Sequence, residues 1–321
     1  MATPRVTVIV PAYRTASTLT RAVDSVLAQT EQNFEILIVE DGSGDDTLDV
    51  ARGCAARDDR IVVLAQAQNG GQARALNIGI AAARGTWIAT LDADDRYQPD
   101  RLRRLVDAAE RAGIEMAADN QNHLDEAAGY KLVRTAFPTT TPGRVIGLGD
   151  FIAHSDTAAP FSFGILKPVI RAHFIRKHRL GYREGLKLGQ DFYHLMQFFA
   201  AGGRGWLDPA PLYDWTLPFG PVSRTWTDNG LGAWRYDYRS TLEANAYFLD
   251  LMERQGRAEL VSLLRRRERE YRVMVHYIDA QKAYAQTRRP FAAAGIIARH
   301  PTTWPLLARR VTGRLRRTVA G

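Results

Sequence analysis

The sequence predicts an α/β fold: a mostly parallel sheet flanked by helices, followed by a helical C-terminal extension. β-branched apolar runs at Val6–Val10, Phe34–Val39, Ile61–Leu64 and Trp87–Leu91 start 28, 27 and 26 residues apart, the length of a strand plus a returning helix. Between the runs the apolar spacing turns helical. The runs themselves are apolar on both faces, as in a parallel sheet covered by helices on either side.

Taken in order, the first run leads to Pro11-Ala12-Tyr13 and then to Leu19, Ala22, Val23, Val26 and Leu27, which share one helical face behind a Ser17 or Thr18 cap. The second run ends on Glu40-Asp41-Gly42-Ser43. The third leads through the Asn69–Asn77 turn into an Ala-rich helix that stops at Arg84-Gly85. The fourth ends on Asp92-Ala93-Asp94-Asp95, before a helix whose start is marked by Pro99-Asp100. Residues 134–164, rich in Thr, Pro, Gly and Phe, read as a long irregular excursion. A helix follows from about Gln190 to Ala201, then a turn-rich strand region through Pro218 to Trp226. Residues 234–285 read as one or two long helices, with Leu242, Ala246, Leu249 and Met252 at helical spacing and Arg265–Arg272 on a solvated face.

A chain of 321 residues, 45% hydrophobic and 24% charged, is long enough to bury a large core and excludes disordered, collagenous and disulfide-scaffold classes. The one cysteine, Cys54, gives no support for an oxidising compartment, so a cytoplasmic protein is expected. Neither a signal peptide nor a membrane span is read. The net charge of +8 is unevenly placed, because residues 281–321 hold nine Lys/Arg and no acid, leaving 34 basic against 35 acidic residues in 1–280. A near-neutral body argues against nucleic acid as a partner.

In a parallel sheet the ligand lies beyond the carboxyl ends of the strands, which directs attention to the four turns above. Asp92, Asp94 and Asp95 are three carboxylates within four residues. At about 4 Å and a surface-like dielectric each pair repels by roughly 4 kcal/mol before screening, so a positive partner is required. A divalent metal such as Mg²⁺ or Mn²⁺ would supply it. The bland alternative is a solvated loop whose aspartates cap the next helix. Asp41 adds a second acidic turn at the same edge, with an Asx turn as its ordinary explanation. Gly42-Ser43-Gly44-Asp45-Asp46-Thr47 does not fit the dinucleotide fingerprint: it follows the second strand, its last position is Thr47, and its acids would repel a pyrophosphate.

Four segments then occur in order: Val8-Ile9-Val10-Pro11-Ala12-Tyr13; Ile38-Val39-Glu40-Asp41-Gly42-Ser43 with Asp45; Asn69-Gly70-Gly71 with Ala75 and Asn77; and Leu91-Asp92-Ala93-Asp94-Asp95. Together they resemble the motifs of the family 2 inverting glycosyltransferases. The resemblance implies the GT-A fold, a Rossmann-like sheet with a nucleotide-binding half over 1–100 and an acceptor-binding half over 101–230, leaving 231–321 as the helical region with its basic tail. It also implies roles. Pro11, Ala12 and Tyr13 would hold uracil, and Asp41 would accept its N3–H. Asp92, with Ala93, would bind the ribose hydroxyls or metal-bound water of a UDP-sugar, and Asp94 would ligate Mg²⁺ or Mn²⁺. Arg74 would reach the diphosphate or uridine from a position shifted relative to many relatives, which have Arg where Leu76 stands.

Inversion requires a general base for the acceptor hydroxyl. Gly189-Gln190-Asp191-Phe192-Tyr193 occupies the place where relatives carry a Glu-Asp pair, so Asp191 would be that base, with Gln190 replacing the usual Glu and a helix cap as the alternative role. His194 is read as a packing residue. Phe163-Gly164-Ile165-Leu166-Lys167-Pro168-Val169-Ile170-Arg171, Pro211-Leu212-Tyr213 and Ser223-Arg224 resemble bacterial exopolysaccharide glycosyltransferases of the succinoglycan type. The implied reaction is transfer of one sugar, UDP-glucose being the first guess for donor, to a lipid-linked oligosaccharide. The tail, with Phe291, Ile296, Ile297, Trp304, Leu306, Leu307, Val311 and Leu315 between its arginines, would hold the enzyme on an anionic membrane face. A nucleotidyltransferase or a non-catalytic nucleotide-binding protein are the rival readings.

Overall fold

The computed structural model describes residues 3–155, 161–186, 188–217 and 238–287, together with 295 and 298–300. The chain forms two compact units, one from the described residues up to 217 and one from those at 238 onward.

The first unit is built on four parallel strands, β1 (Val6–Ala12), β2 (Phe34–Glu40), β3 (Ile61–Ala65) and β4 (Trp87–Thr90), in the order β3-β2-β1-β4. All of β1, β2 and β4 is buried, which is why these segments are apolar at most positions rather than at alternate ones; the buried Glu35 is satisfied by Thr7 and Arg84. The returning helices are α1 (Leu19–Leu27), α2 (Thr47–Ala55) and α3 (Gln72–Ala82). Leu19, Ala22, Val23 and Val26 form the buried stripe of α1, as the spacing predicts. Gly79 lets α3 approach β1 closely, since a Cβ there would stand 2.4 Å from Ile9 Cγ2. The pairing of Ala12 with Glu40 and of Ile9 with Thr90 brings the turns after β1, β2 and β4 to one edge.

Beyond β5 (Arg96–Tyr97) and α4 (Arg101–Ala112) the strand directions become mixed. β6 (Met116–Asp125) pairs with β7 (Lys131–Thr135), and β8 (Arg144–Ile146) pairs with β10 (Gly205–Leu217). β9 (Val169–Arg171) runs antiparallel between β4 and β6, while β6 and β10 are parallel. The parallel character therefore belongs to β1–β4 and to the β6/β10 pair. Because β9 reverses the direction twice over, the carboxyl ends of β6 and β10 return to the edge that carries the acidic turns.

The excursion expected over 134–164 is more ordered than its composition suggests. It contains β8 and a helix, α5 (Leu148–Ala153), before a 3-10 turn at Phe163–Ile165. Asp150 accepts the Gly147 N–H at the start of α5, and Phe151 stacks on Phe192 and Phe199 at 5.6 and 4.9 Å. Aromatic packing against α7 (Gln190–Ala200) overrides the Gly and Pro content. Between them lies α6 (Ala172–His178).

The second unit contains α8 (Tyr238–Arg254) and α9 (Ala258–Thr287). The buried stripe of α8 is Thr241, Ala244, Asn245, Phe248 and Met252; Leu242 and Leu249 are half-buried and Ala246 is exposed, so the face is rotated from the expected one. Asn245 sets that rotation by donating to Leu264 O at 3.1 Å and accepting from Arg267 Nη1 at 3.1 Å. Arg267 is thus buried, against the expected solvated face. Ser223-Arg224 and the tail residues from Phe291 to Ile297 apart from Gly295, and from 301 onward, lie outside the described residues. No described helix is long and apolar enough to cross a membrane.

Candidate active site

The turn after β2 is held by its own acid. Asp41 is buried and accepts the N–H groups of Gly70 and Gly71 at 3.0 and 2.8 Å, one on each carboxylate oxygen. Gly42 is obligatory beside it, with φ +65° and Gln68 C only 2.7 Å from where a Cβ would sit. Pro11 and Ala12 end β1 fully inside the protein, whereas Tyr13 is half-buried at the edge, with the Arg14 guanidinium 5.3 Å from its ring centre. Arg74, on α3, is exposed and lies across Gly70.

The acidic turn after β4 separates into three environments. Asp92 is partly exposed; Gln72 donates to its Oδ1 at 3.0 Å and Lys167 Nζ lies 2.9 Å from its Oδ2. Ala93 is buried, and Asp94 is half-buried at the edge, with its carbonyl accepting from the guanidinium of Arg21. Asp95 is buried and receives the Tyr213 hydroxyl and the Thr216 N–H at 2.7 and 2.8 Å. Burial first, then the charges of Asp94 and Asp92, hold the Asp95 carboxyl well above the usual carboxylate range. None of the three caps the next helix, whose N-cap position is Asp100.

Asp191 reaches the same place from the second half. It lies in the first turn of α7, whose N-cap position is Gly189, so it does not act as the cap. Its Oδ2 is 3.1 Å from Lys167 Nζ, the same ammonium that contacts Asp92. The side chains of Lys167, Asp92 and Asp191 are 10%, 22% and 24% exposed. Burial works against the charge on Lys167, but Asp191 and Asp92 outweigh it and hold the ammonium well above the ordinary lysine value. Asp191 itself is pushed up by burial, with Lys167 opposing and Asp92 adding to the rise. Gln190 donates to Leu186 O at 2.6 Å and so ties the start of α7 to the loop before it.

Asn77 fixes that loop to α3. Its side chain donates to Tyr182 O and accepts from Tyr182 N, both at 2.8 Å. Tyr182 in turn stacks on His194 at 4.3 Å, and burial lowers His194 to about 4, leaving it neutral. This matches its reading as a packing residue.

A scan against family models matches residues 7–166 to "Glycosyl transferase family 2". The chain belongs to that family. Among its relatives, the succinoglycan biosynthesis protein ExoO of Rhizobium meliloti (strain 1021) is 35% identical over 231 residues, covering 69% of this chain and 63% of that protein. The chain thus spans less than two thirds of that relative's length. The fold resembles S. aureus TarS 1-349 in complex with UDP-GlcNAc (TM-score 0.63, 18% identity, 81% of this chain and 71% of that one). It also resembles the Pyrobaculum calidifontis mannosyltransferase PcManGT in complex with GDP-Man and Mn²⁺ (TM-score 0.58, 18% identity, 98% and 81%). The sheet and its flanking helices are accordingly those of a family 2 glycosyltransferase with the GT-A fold.

Within that family 2 framework, the positive charge demanded by the acidic turn is met in part by side chains to which the sequence reading gave no such role: Lys167 beside Asp92 and Arg21 beside Asp94. No signal within 92–95 indicates them, since they stand 75 and 73 residues from the acids they approach. Among the described residues no three His, Cys, Asp or Glu form a cage for a metal. Asp95 is occupied by Tyr213 and Thr216, and Asp92 by Gln72 and Lys167. Asp94, half-buried at the open edge, fits a hard cation that takes one protein carboxylate and completes its shell with phosphate oxygens.

Proposed function

We propose that this family 2 glycosyltransferase moves one sugar, with inversion, from a UDP-sugar to a hydroxyl of a lipid-linked oligosaccharide in exopolysaccharide or cell-surface polysaccharide synthesis. The observation that carries the reading is the convergence of Asp92 and Asp191, from separate halves of the fold, on one ammonium group at 2.9 and 3.1 Å. A donor-side acid and an acceptor-side acid are thereby gathered at one edge of the sheet, as a displacement at C1 between two substrates requires. The name of ExoO supports the polysaccharide context, and the ligand of TarS supports a UDP-sugar.

Tyr13 would stack on uracil with Pro11 and Ala12 beneath it, and Asp41 would accept the N3–H on a lone pair left by Gly70 and Gly71. Asp92 with Ala93 would meet the ribose, and Arg74 would swing toward the diphosphate. Asp191 takes the acceptor proton as the oxygen bonds to C1, while the C1–O bond to the diphosphate breaks on the opposite face. Mg²⁺ or Mn²⁺ held by Asp94 would supply charge neutralisation for the leaving diphosphate. The basic segment 281–321 is proposed to bind the anionic cytoplasmic membrane face, where a lipid-linked acceptor is found.

A screen of UDP-sugars with Mg²⁺ or Mn²⁺, followed by UDP release, tests the reading. Wild type should turn over one of them, and Asp191→Asn should bind UDP normally yet lose transfer. Full transfer by Asp191→Asn would remove the assignment of the base.

A further inference from the structure

Lysine is among the residues least often buried without a partner, and Lys167 is nearly enclosed. Its backbone is gripped from behind: the Lys167 carbonyl accepts from the guanidinium of Arg101, which is itself clamped on Asp119 at 2.7 and 3.1 Å. Arg101 lies over the rings of Tyr97 and Tyr213 at 4.2 and 5.2 Å, and the whole group is buried. The side chain that emerges from this fixed point contacts only Oδ2 of Asp92 and Oδ2 of Asp191 among the recorded ion pairs. Asp92 Oδ1 is taken by Gln72, whereas among the described residues the side-chain bond to Asp191 is made through Oδ2.

We propose that Lys167 is a positioning residue for sugar transfer: by spanning Asp92 and Asp191 it sets the distance and orientation of the base relative to the donor loop. The inference rests on the reading of Asp191 as the base. Engagement of one carboxylate oxygen turns the other toward the position of the attacking hydroxyl. Without the ammonium the two carboxylates face each other and repel; Asp92 stays bonded to Gln72, so it is the base that is displaced while the proposed nucleotide contacts at Tyr13, Asp41 and Asp92 remain. A displaced base lowers turnover and leaves nucleotide affinity alone.

The test compares full-length wild type, Lys167→Gln, Lys167→Arg and Asp191→Asn by UDP calorimetry and by UDP release from UDP-glucose, UDP-galactose and UDP-N-acetylglucosamine, with water as the minimal acceptor. Lys167→Gln should lower kcat at least tenfold with the UDP Kd changed by less than threefold, and Lys167→Arg should recover part of kcat. An unchanged kcat, or a tenfold weaker UDP affinity with kcat retained, would overturn the role. Asp191→Asn separates the two ideas, because wild-type turnover in that variant removes the base, whereas a dead Asp191→Asn beside a fully active Lys167→Gln removes only the positioning role. Independently of turnover, the Tm shifts of Lys167→Gln, Asp191→Asn and the double variant should be non-additive; additivity would show that the bridge does not form.

Discussion

Tyr213 donates its hydroxyl to Asp95 Oδ2 at 2.7 Å, and the Tyr213 hydroxyl oxygen in turn accepts the Asp92 N–H at 3.3 Å. One phenol within β10 thereby ties both ends of the acidic turn, and the buried Asp95 carboxylate is engaged inside the fold. Tyr213→Phe leaves a buried acceptor short of a donor, which costs about 1–3 kcal/mol. Thermal unfolding should show that loss, and a wild-type Tm for Tyr213→Phe would mean that the hydroxyl contributes nothing.

Arg101 and Asp119 form a fully buried pair. Arg101→Met strands the Asp119 carboxylate and should destabilise the protein by roughly 3–5 kcal/mol, while Arg101→Met with Asp119→Leu should recover a large part of it. Urea unfolding of the two variants checks the difference.

The folded protein holds the Asp191 proton more tightly than an unfolded chain would, chiefly through burial. As a base it must be ionised, so turnover should fall with decreasing pH at a value above that of an exposed aspartate. Stability follows the opposite sign: the contribution of this group is present below the unfolded-state value and is lost as pH rises through the folded-state value. Rate and Tm measured over the same pH series should therefore move in opposite directions in that window, and Asp191→Asn should flatten its share of the Tm curve.

Asp94→Ala should abolish the stimulation of UDP binding by Mg²⁺ or Mn²⁺, since the carboxylate proposed to hold the cation is gone. Calorimetry with and without chelator reads this directly.

Gln190→Glu, which writes the more common acidic pair, should lower Tm without raising the rate. Gln190 Nε2 donates to Leu186 O, and a carboxylate there would face a carbonyl and stand beside Asp191.

The spacing of β1–β4 was legible because each strand is a largely apolar run, and the acids after β2 and β4 follow their strands directly. Asp92 stood out as such an acid, whereas Asp191 was found only through the resemblance of its segment to the family's Glu-Asp pair. Lys167, Arg101 and Tyr213 did not stand out, because their meaning comes from contacts made 24 to 121 residues away in sequence. β9 is three residues long, too short to show a period, yet it reverses the sheet and brings the second half to the same edge. In α8 the apolar spacing suggested a stripe one step away from the real one, since the face is centred on the polar Asn245 and its bond to Arg267.

The paired bonds between Asn77 and the backbone of Tyr182 act as a mooring. Tyr182 is thereby anchored to α3 on one side, while Asp191 is carried by α7 on the other. Substitutions downstream of Tyr182 are then insulated from the strand edge that carries Asp41 and Asp92.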